Sequence, residues 1–211
     1  MELFLIIPIL FFSIVLHEFA HGYVAYRMGD DTAYLMGRLT LNPLKHVDII
    51  GTLLVPALCY MLGLPMFGWA KPVPVNAQRL PFPRHSMGKV ALAGPTANLL
   101  LAVIFAFLAK LTLVSGVLSA PGTAQTVQIL FYGIQINILL AVFNLMPIPP
   151  LDGGHIIAAL LPLDKALKYT HFFGRYGMYI VLGLIVTGIF KYIIYPPMFI
   201  IVRVIGKIFG L

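Results

Sequence analysis

Long runs of apolar residues alternate with short polar loops along most of the chain. The clearest runs cover residues 3–26, 90–109 and 126–146, and each approaches or exceeds the ~20 residues that a helix needs to cross a ~30 Å hydrocarbon core. Residues 176–190 offer a shorter uncharged run. The pattern predicts an all-α polytopic membrane protein with about four to six transmembrane helices.

Two further apolar regions leave their topology open. Residues 49–70 are uncharged, but they are interrupted by Gly51, Pro56, Gly63 and Pro65, so they form either a re-entrant hairpin or a kinked span. Residues 192–211 form either an interfacial amphipathic helix or a last span. We expect a single domain over residues 1–211, with a core at 1–162 and C-terminal helices at 163–211.

The polar segment after the first helix carries a strand-like pattern. A Gly29-Asp30-Asp31 turn signal precedes residues 34–41, which resemble two short strands. The sequence therefore predicts a small membrane-associated β-hairpin after the first helix, with a plain surface loop as the alternative. The edge of such a hairpin could bind an extended substrate by strand addition, and the segment 71–75 could do the same.

Composition and charge agree with a membrane protein. The chain is 60% hydrophobic and only 10% charged, with a mean hydropathy of +0.97. The net charge of +7 comes from basic residues in polar loops, so we interpret it as a topology signal and a contact with anionic lipid, not as a nucleic-acid interface. The positive-inside rule places these loops in the cytoplasm, provided that residues 49–70 do not cross the membrane completely.

The first apolar run contains three ionisable side chains, His17, Glu18 and His21. On a helix the two histidines lie roughly 40° apart on one face, one turn from each other, which suits two imidazoles on one metal ion. Glu18 can reach a metal-bound water without being a ligand, as in His-Glu-x-x-His hydrolases. A chance motif is the alternative, but ionisable groups at this depth need partners, and zinc would be one.

A second polar group follows the helix at 126–146, in a stretch that runs from Asn144 through several prolines to Asp152-Gly153-Gly154. Under the predicted topology this helix descends toward the cytoplasmic side, so Asp152 reaches the same end of the molecule as His17 and His21. Irregular backbone at such depth is tolerated only where it lines a cavity or is buried in protein.

The motif His17-Glu18-x-x-His21, followed downstream by Asn144-x-x-Pro147-x-x-x-Leu151-Asp152-Gly153, resembles the site-2 protease family of intramembrane zinc metalloproteases. The element Gly94-Pro95-x-x-Asn98 also matches that family. The resemblance extends from the first helix to about residue 155. No loop is long enough for the PDZ or cystathionine-β-synthase-type domain that many members carry, so the chain resembles a minimal catalytic core.

The resemblance implies one Zn²⁺ per chain, held by His17, His21 and Asp152, with Glu18 as general base. Asn144 is a candidate donor to the oxyanion of the tetrahedral intermediate; a bond between helices is its alternative role. The candidate substrate-binding residues are Asn98, Leu39 and Val73.

The predicted function is hydrolysis of peptide bonds within or near transmembrane segments of membrane proteins, that is, regulated intramembrane proteolysis. We expect an integral protein of a prokaryotic cell (inner) membrane with its site toward the cytoplasm. Its expected partners are transmembrane substrates and the lipid bilayer, and the sequence leaves the oligomeric state open. The alternative is a zinc-binding membrane transporter or sensor without hydrolytic activity, in which Glu18 has no special role.

Overall fold

The computed structural model describes residues 2–63, 68–115 and 123–211, and within these ranges the regular structure is helical. Eight α-helices are present in the described residues: α1 Glu2–Arg27, α2 Thr32–Leu35, α3 Val55–Met61, α4 Pro83–Val114, α5 Thr123–Asn144, α6 Asp152–Leu160, α7 Leu163–Val186 and α8 Phe190–Phe209. A π-helical segment, Ile49–Leu54, leads into α3, and two 3₁₀ turns lie at Pro43–His46 and Ala77–Arg79.

Four of these helices are long and apolar enough to cross a membrane, namely α1, α4, α5 and α8. The first three correspond to the predicted runs, although α4 begins earlier and ends later than residues 90–109. The C-terminal region, which the sequence left open, contains a 20-residue helix of spanning length, Phe190–Phe209. The short span predicted at 176–190 does not form as such, because α7 ends at Val186 and Gly188 turns the chain with a φ of 72°.

The predicted β-hairpin at residues 34–41 is wrong, since no strand occurs in the described part of the chain. The segment forms the short helix Thr32–Leu35 instead, and Gly37 then turns the chain with a φ of 63°. The reason is local. Asp30 accepts a hydrogen bond from the amide of Thr32 at 3.1 Å, and the side chain of Ala33 is buried, so this local bond and the burial favour a helical turn over strand pairing.

The region 49–70 contains an apolar helical stretch, Ile49–Cys59, that falls short of spanning length. At ~1.5 Å per residue its 11 residues extend only about 16 Å, roughly half of the hydrocarbon thickness. Asp48 begins the stretch by accepting hydrogen bonds from the amides of Ile50 and Gly51. This length agrees with the re-entrant alternative over residues 49–63; residues 64–67 of the predicted run lie outside the described residues.

The core that supports the site lies between α4, α5 and α8. Ala102 and Ala106 of α4 are fully buried and pack in one cluster with Ile138 of α5 and Ile194 of α8. Small side chains at this contact let helix backbones approach closely, which is how apolar helices associate in lipid. Helix α1 packs against both α4 and α5, and this packing brings the His17 turn against α4.

Candidate metal centre

Three potential ligand atoms converge between α1 and the start of α6. Nε2 of His17 lies 3.0 Å from Nε2 of His21, and the two nitrogens lie 3.1 Å and 3.3 Å from Oδ2 of Asp152. Zinc bonds of ~2.0–2.1 Å in tetrahedral geometry separate neighbouring ligand atoms by about 3.3 Å. The spacing of the three atoms therefore fits one tetrahedrally coordinated zinc ion with its fourth position open.

The orientation of His17 is fixed by a buried amide network. Nδ1 of His17 donates to Oδ1 of Asn98 at 2.6 Å, and the Asn98 amide nitrogen donates in turn to Oδ1 of Asn137 at 3.0 Å. Asn137 donates to the hydroxyl of Ser13 at 2.9 Å. Because Asn98 offers an oxygen to the histidine, the proton of a neutral His17 lies on Nδ1 and its Nε2 presents a lone pair.

His21 has the same tautomer for a different reason. Its Nδ1 donates to the backbone carbonyl of Val90 at 2.7 Å, so its Nε2 also carries a lone pair. Oδ2 of Asp152 is buried and accepts no hydrogen bond. Three lone pairs thus point at one another at the contact distances above, an arrangement that repels unless a cation lies among them. The residues present fit a zinc ion.

Gly94 of α4 provides the space for this centre. A methyl group at this position would clash with Nε2 of His21 and lie 2.6 Å from Nε2 of His17. The helix therefore approaches the two histidines more closely than any residue with a side chain would allow. The sequence matched Gly94 to the family motif without giving this steric reason.

Asp152 is placed by a tight connection between α5 and α6. It is the first residue of α6, where the positive end of the helix dipole favours a carboxylate. A methyl group at Gly153 would clash with the carbonyl oxygens of Leu145 and Met146, and one at Gly154 would clash with Pro149. Both glycines are helical, so they serve close packing of the connection and not an unusual backbone angle.

Glu18 lies beside the metal centre and is bound by the main chain of a distant segment. Its Oε2 accepts a hydrogen bond from the backbone amide of Val73 at 2.8 Å. Residues 71–76, which we term the strap, run without regular secondary structure across this part of α1. Val73 supplies the only amide of the Pro72-Val73-Pro74 triplet, so in this structure the amide donates to Glu18 and not to a substrate strand.

The strap is anchored on both sides of this contact. Arg38 donates to the carbonyls of Lys71 at 2.9 Å and Pro72 at 3.2 Å, and the amide of Asn76 donates to Oδ2 of Asp30 at 2.6 Å. Burial opposes ionisation of Asp30, but hydrogen bonds from Thr32 and Asn76 outweigh it and lower the pKa of this carboxyl below its ordinary value. The strap is therefore held as a fixed wall of the site.

Glu18 and His17 open onto a cavity of about 220 Å³ that Asn144 also lines. The side-chain nitrogen of Asn144 donates to the carbonyl of Leu140, one turn earlier in α5, at 3.0 Å. An amide nitrogen carries two hydrogens, so one remains for a group in the cavity. The position of Asn144 in the cavity wall is compatible with the predicted oxyanion role. Its bond to Leu140 fixes the orientation of the side chain.

The structure thus brings His17, Glu18, His21, Asp152 and Asn144 around one centre. Asn98 bonds to His17, while Leu39 approaches Gly22, where an added methyl group would lie 3.2 Å from its Cδ1. Sequence reasoning missed Asn137, a fully buried amide in the middle of α5. The sequence does indicate this residue, because a polar side chain within an apolar span needs a hydrogen-bond partner.

One protein-family model matches part of the chain. The family model described as "Peptidase family M50" matches residues 110–187, a range that contains Asp152 and Asn144 but not the histidines of α1. No solved structure matches the chain.

Curated relatives extend the similarity over most of the chain. It is 44% identical over 186 residues to "Putative zinc metalloprotease YwhC" of Bacillus subtilis (strain 168), covering 87% of this chain and 81% of that protein. It is 34% identical over 177 residues to "Putative zinc metalloprotease Rip2" of Mycolicibacterium smegmatis, covering 83% of this chain and 64% of that protein. A similarly named protein of Methanocaldococcus jannaschii, MJ0611, is 33% identical over 108 residues, or 51% of this chain and 44% of that protein.

Proposed function

The chain belongs to peptidase family M50, and from this membership and the metal centre we propose that it is an intramembrane zinc metalloprotease. It hydrolyses peptide bonds within or near transmembrane segments of membrane-protein substrates. The observation that carries the proposal is the convergence of the His17, His21 and Asp152 ligand atoms, together with the cavity that His17 and Glu18 line. Ionisable groups within membrane-spanning helices mark functional sites, and two imidazoles with one carboxylate are a ligand set that zinc takes.

The depth of the centre supports a substrate inside the membrane. His21 and His17 lie six and ten residues before Arg27 at the end of α1, or about 9 Å and 15 Å along the helix axis. We place Arg27 at the cytoplasmic interface of a prokaryotic inner membrane, because the basic loops follow the positive-inside rule. A transmembrane substrate must partly unwind there, since its backbone amides are otherwise bonded within its own helix.

His17, His21 and Asp152 would hold the zinc ion, which would act as a Lewis acid and would lower the pKa of a bound water toward ~7. Glu18 acts as the base: Oε2 stays with the amide of Val73, and Oε1 takes the proton of the attacking water. Glu18 then passes that proton to the nitrogen of the leaving amine. Asn144 donates its second amide hydrogen to the oxygen of the scissile carbonyl as charge develops there, an interaction whose loss typically costs about 100- to 1000-fold in rate.

The test is cleavage of a panel of single-span membrane substrates by the purified full chain in detergent, with zinc content measured in parallel. Glu18→Gln should reduce cleavage by about 100-fold or more, the usual loss for a general base, at unchanged zinc content. Asp164→Asn removes an exposed carboxylate from the first turn of α7 and serves as the matched control, with full activity expected. Equal zinc without cleavage by the wild type would favour the transporter or sensor.

A further inference from the structure

The cavity that His17, Glu18 and Asn144 line, which we term the metal cavity, has a second cavity beside it, and the two meet at Trp69. This second cavity, which we term the groove, has a volume of about 270 Å³, and the metal cavity has about 220 Å³. Ile14, Gly68, Trp69 and Ala70 line both. The two spaces are therefore neighbours that share one wall, and the indole of Trp69 is the largest side chain in that wall.

One wall of the groove is a single face of α1. Its members recur with helical spacing and are Ile7, Leu10, Phe11 and Ile14. The same spacing continues to His17 and Glu18, which begin one turn after Ile14, or about 4.5 Å along the axis. The groove therefore leads along α1 to the metal centre.

The other wall comes from residues 51–56 and 68–70 and is almost free of polar groups. It includes Pro56 and Thr52, and the hydroxyl of Thr52 donates to the carbonyl of Trp69 at 2.9 Å. Ile7 and Ile14 lie 20 and 13 residues before Arg27 in α1, or about 30 Å and about 20 Å along the helix axis, so the groove runs from the far edge of the hydrocarbon core toward its middle. A groove of this depth and composition fits an apolar segment of another membrane protein and offers nothing to a polar ligand.

Trp69 is fixed through its backbone. Its amide donates to the carbonyl of Gly51 at 3.1 Å, and its carbonyl is held by Thr52. The indole lies against Gly51, where an added methyl group would clash with the ring. With the main chain anchored on both sides, rotation of the side chain is the motion that would connect the two cavities.

We propose that the groove is the docking site for the transmembrane segment of the substrate, and that the Trp69 indole controls its passage from the groove to the metal. This inference rests on the proposed function and deepens it. The groove adjoins the metal cavity across one shared wall, and this adjacency argues for a substrate segment. A bound lipid tail would need no connection to catalytic groups.

Docking is measured by disulfide cross-linking in phosphatidylcholine vesicles, which does not depend on cleavage. The chain has a single cysteine, Cys59, which is replaced by serine. Ile7→Cys is then compared with Ile104→Cys on α4, since the wild-type side chains are 52% and 51% exposed. The probe is an apolar transmembrane peptide of about 20 residues with one central cysteine. A yield at Ile7→Cys about tenfold above that at Ile104→Cys is expected, and equal yields would overturn the docking site.

Passage of the peptide from the groove to the metal cavity is measured with a third cysteine position, Leu140→Cys, in the wall of the metal cavity. Trp69→Ala should raise cross-linking of the same peptide at this position severalfold and leave the yield at Ile7→Cys unchanged. Trp69→Phe keeps a large ring and should keep the wild-type ratio of the two yields. An unchanged yield at Leu140→Cys in Trp69→Ala would refute control by the indole.

These experiments can reject proteolysis without rejecting the docking site, and the docking site without rejecting proteolysis. Selective cross-linking at Ile7→Cys, combined with a wild type that holds zinc but cleaves nothing, would reject proteolysis and retain the docking site. Cleavage by the wild type, combined with equal cross-linking at Ile7→Cys and Ile104→Cys, would retain proteolysis and reject the groove.

Discussion

Asn98 Oδ1 lies 2.6 Å from Nδ1 of His17, and both residues are buried. The amide oxygen can only accept, so it fixes both the tautomer and the ring direction of the histidine. The amide nitrogen of Asn98 is itself bonded to Asn137 and to the carbonyl of Ser13. The metal centre therefore depends on a polar network that joins α1, α4 and α5 inside the membrane.

Asn98→Leu removes the acceptor and keeps a side chain of similar size. We expect zinc affinity to fall by about 10- to 100-fold, the usual effect of losing a group that orients a ligand. Competition with a chelating dye measures the affinity. Thr96→Val on the same helix is the control, because the Thr96 hydroxyl only bonds to Leu92 of its own helix. Equal affinities of Asn98→Leu and wild type would mean that the network does not orient His17.

Gly94→Ala tests the close approach of α4 to the histidines. Alanine favours a helix over glycine by about 1 kcal/mol, so α4 itself should not weaken. The new methyl group would enter the space beside Nε2 of both histidines, and we expect zinc binding to be lost while the protein remains folded. Gly183→Ala in α7, with no atom within 4 Å of the added methyl group, should bind zinc normally. Normal zinc content in Gly94→Ala would show that the helices can shift to make room.

The spanning helices and the His17 motif were predictable because both depend on local periodicity. Hydrophobic runs of spanning length identify α1, α4 and α5, and the spacing of His17 and His21 follows from one helical turn. The expected placement of Asp152 rested on the predicted topology, and its role as a ligand rested on the family resemblance.

The failures have a different origin. The strand-like pattern at residues 34–41 gave way to a helical turn, because Asp30 accepts a hydrogen bond from the Thr32 amide and Ala33 is buried. The contact between Val73 and Glu18 joins residues that are 55 positions apart through a backbone amide, which no side-chain pattern reveals. Long-range main-chain contacts of this kind become visible only in three dimensions.

Val73→Pro removes the amide that donates to Glu18 and keeps the extended backbone, since prolines already flank the position. A hydrogen bond to a charged group contributes about 1.5–3 kcal/mol, so misorientation of the carboxylate should lower kcat by about tenfold or more. Zinc content should not change. Val73→Ala keeps the amide and is the matched control. Equal kcat in the two variants would remove the Val73 amide from the mechanism.

Asp30→Asn tests how the strap is held. Asp30 is 1% exposed and accepts hydrogen bonds from the amides of Thr32 and Asn76. Because the pKa of Asp30 is lowered in the folded protein, its contribution to stability is fully present above the ordinary carboxyl pKa of ~3.9 and is lost as the pH falls through the lower folded value. Loss of the charge at neutral pH should therefore destabilise the protein, by about 2 kcal/mol, and should flatten the acid limb of its stability curve.

Thermal unfolding in detergent between neutral and acid pH measures this effect, and elastase cleavage after Val75, identified by mass spectrometry, reports release of the strap. Asp31→Asn is the control, because Asp31 pairs with Arg79 at an exposed site, where an ion pair contributes less than about 1 kcal/mol. We expect faster cleavage in Asp30→Asn than in Asp31→Asn. If both variants unfold and are cleaved like the wild type, the bond from Asn76 to Asp30 does not hold the strap, and the bonds to Arg38 and Glu18 hold it instead.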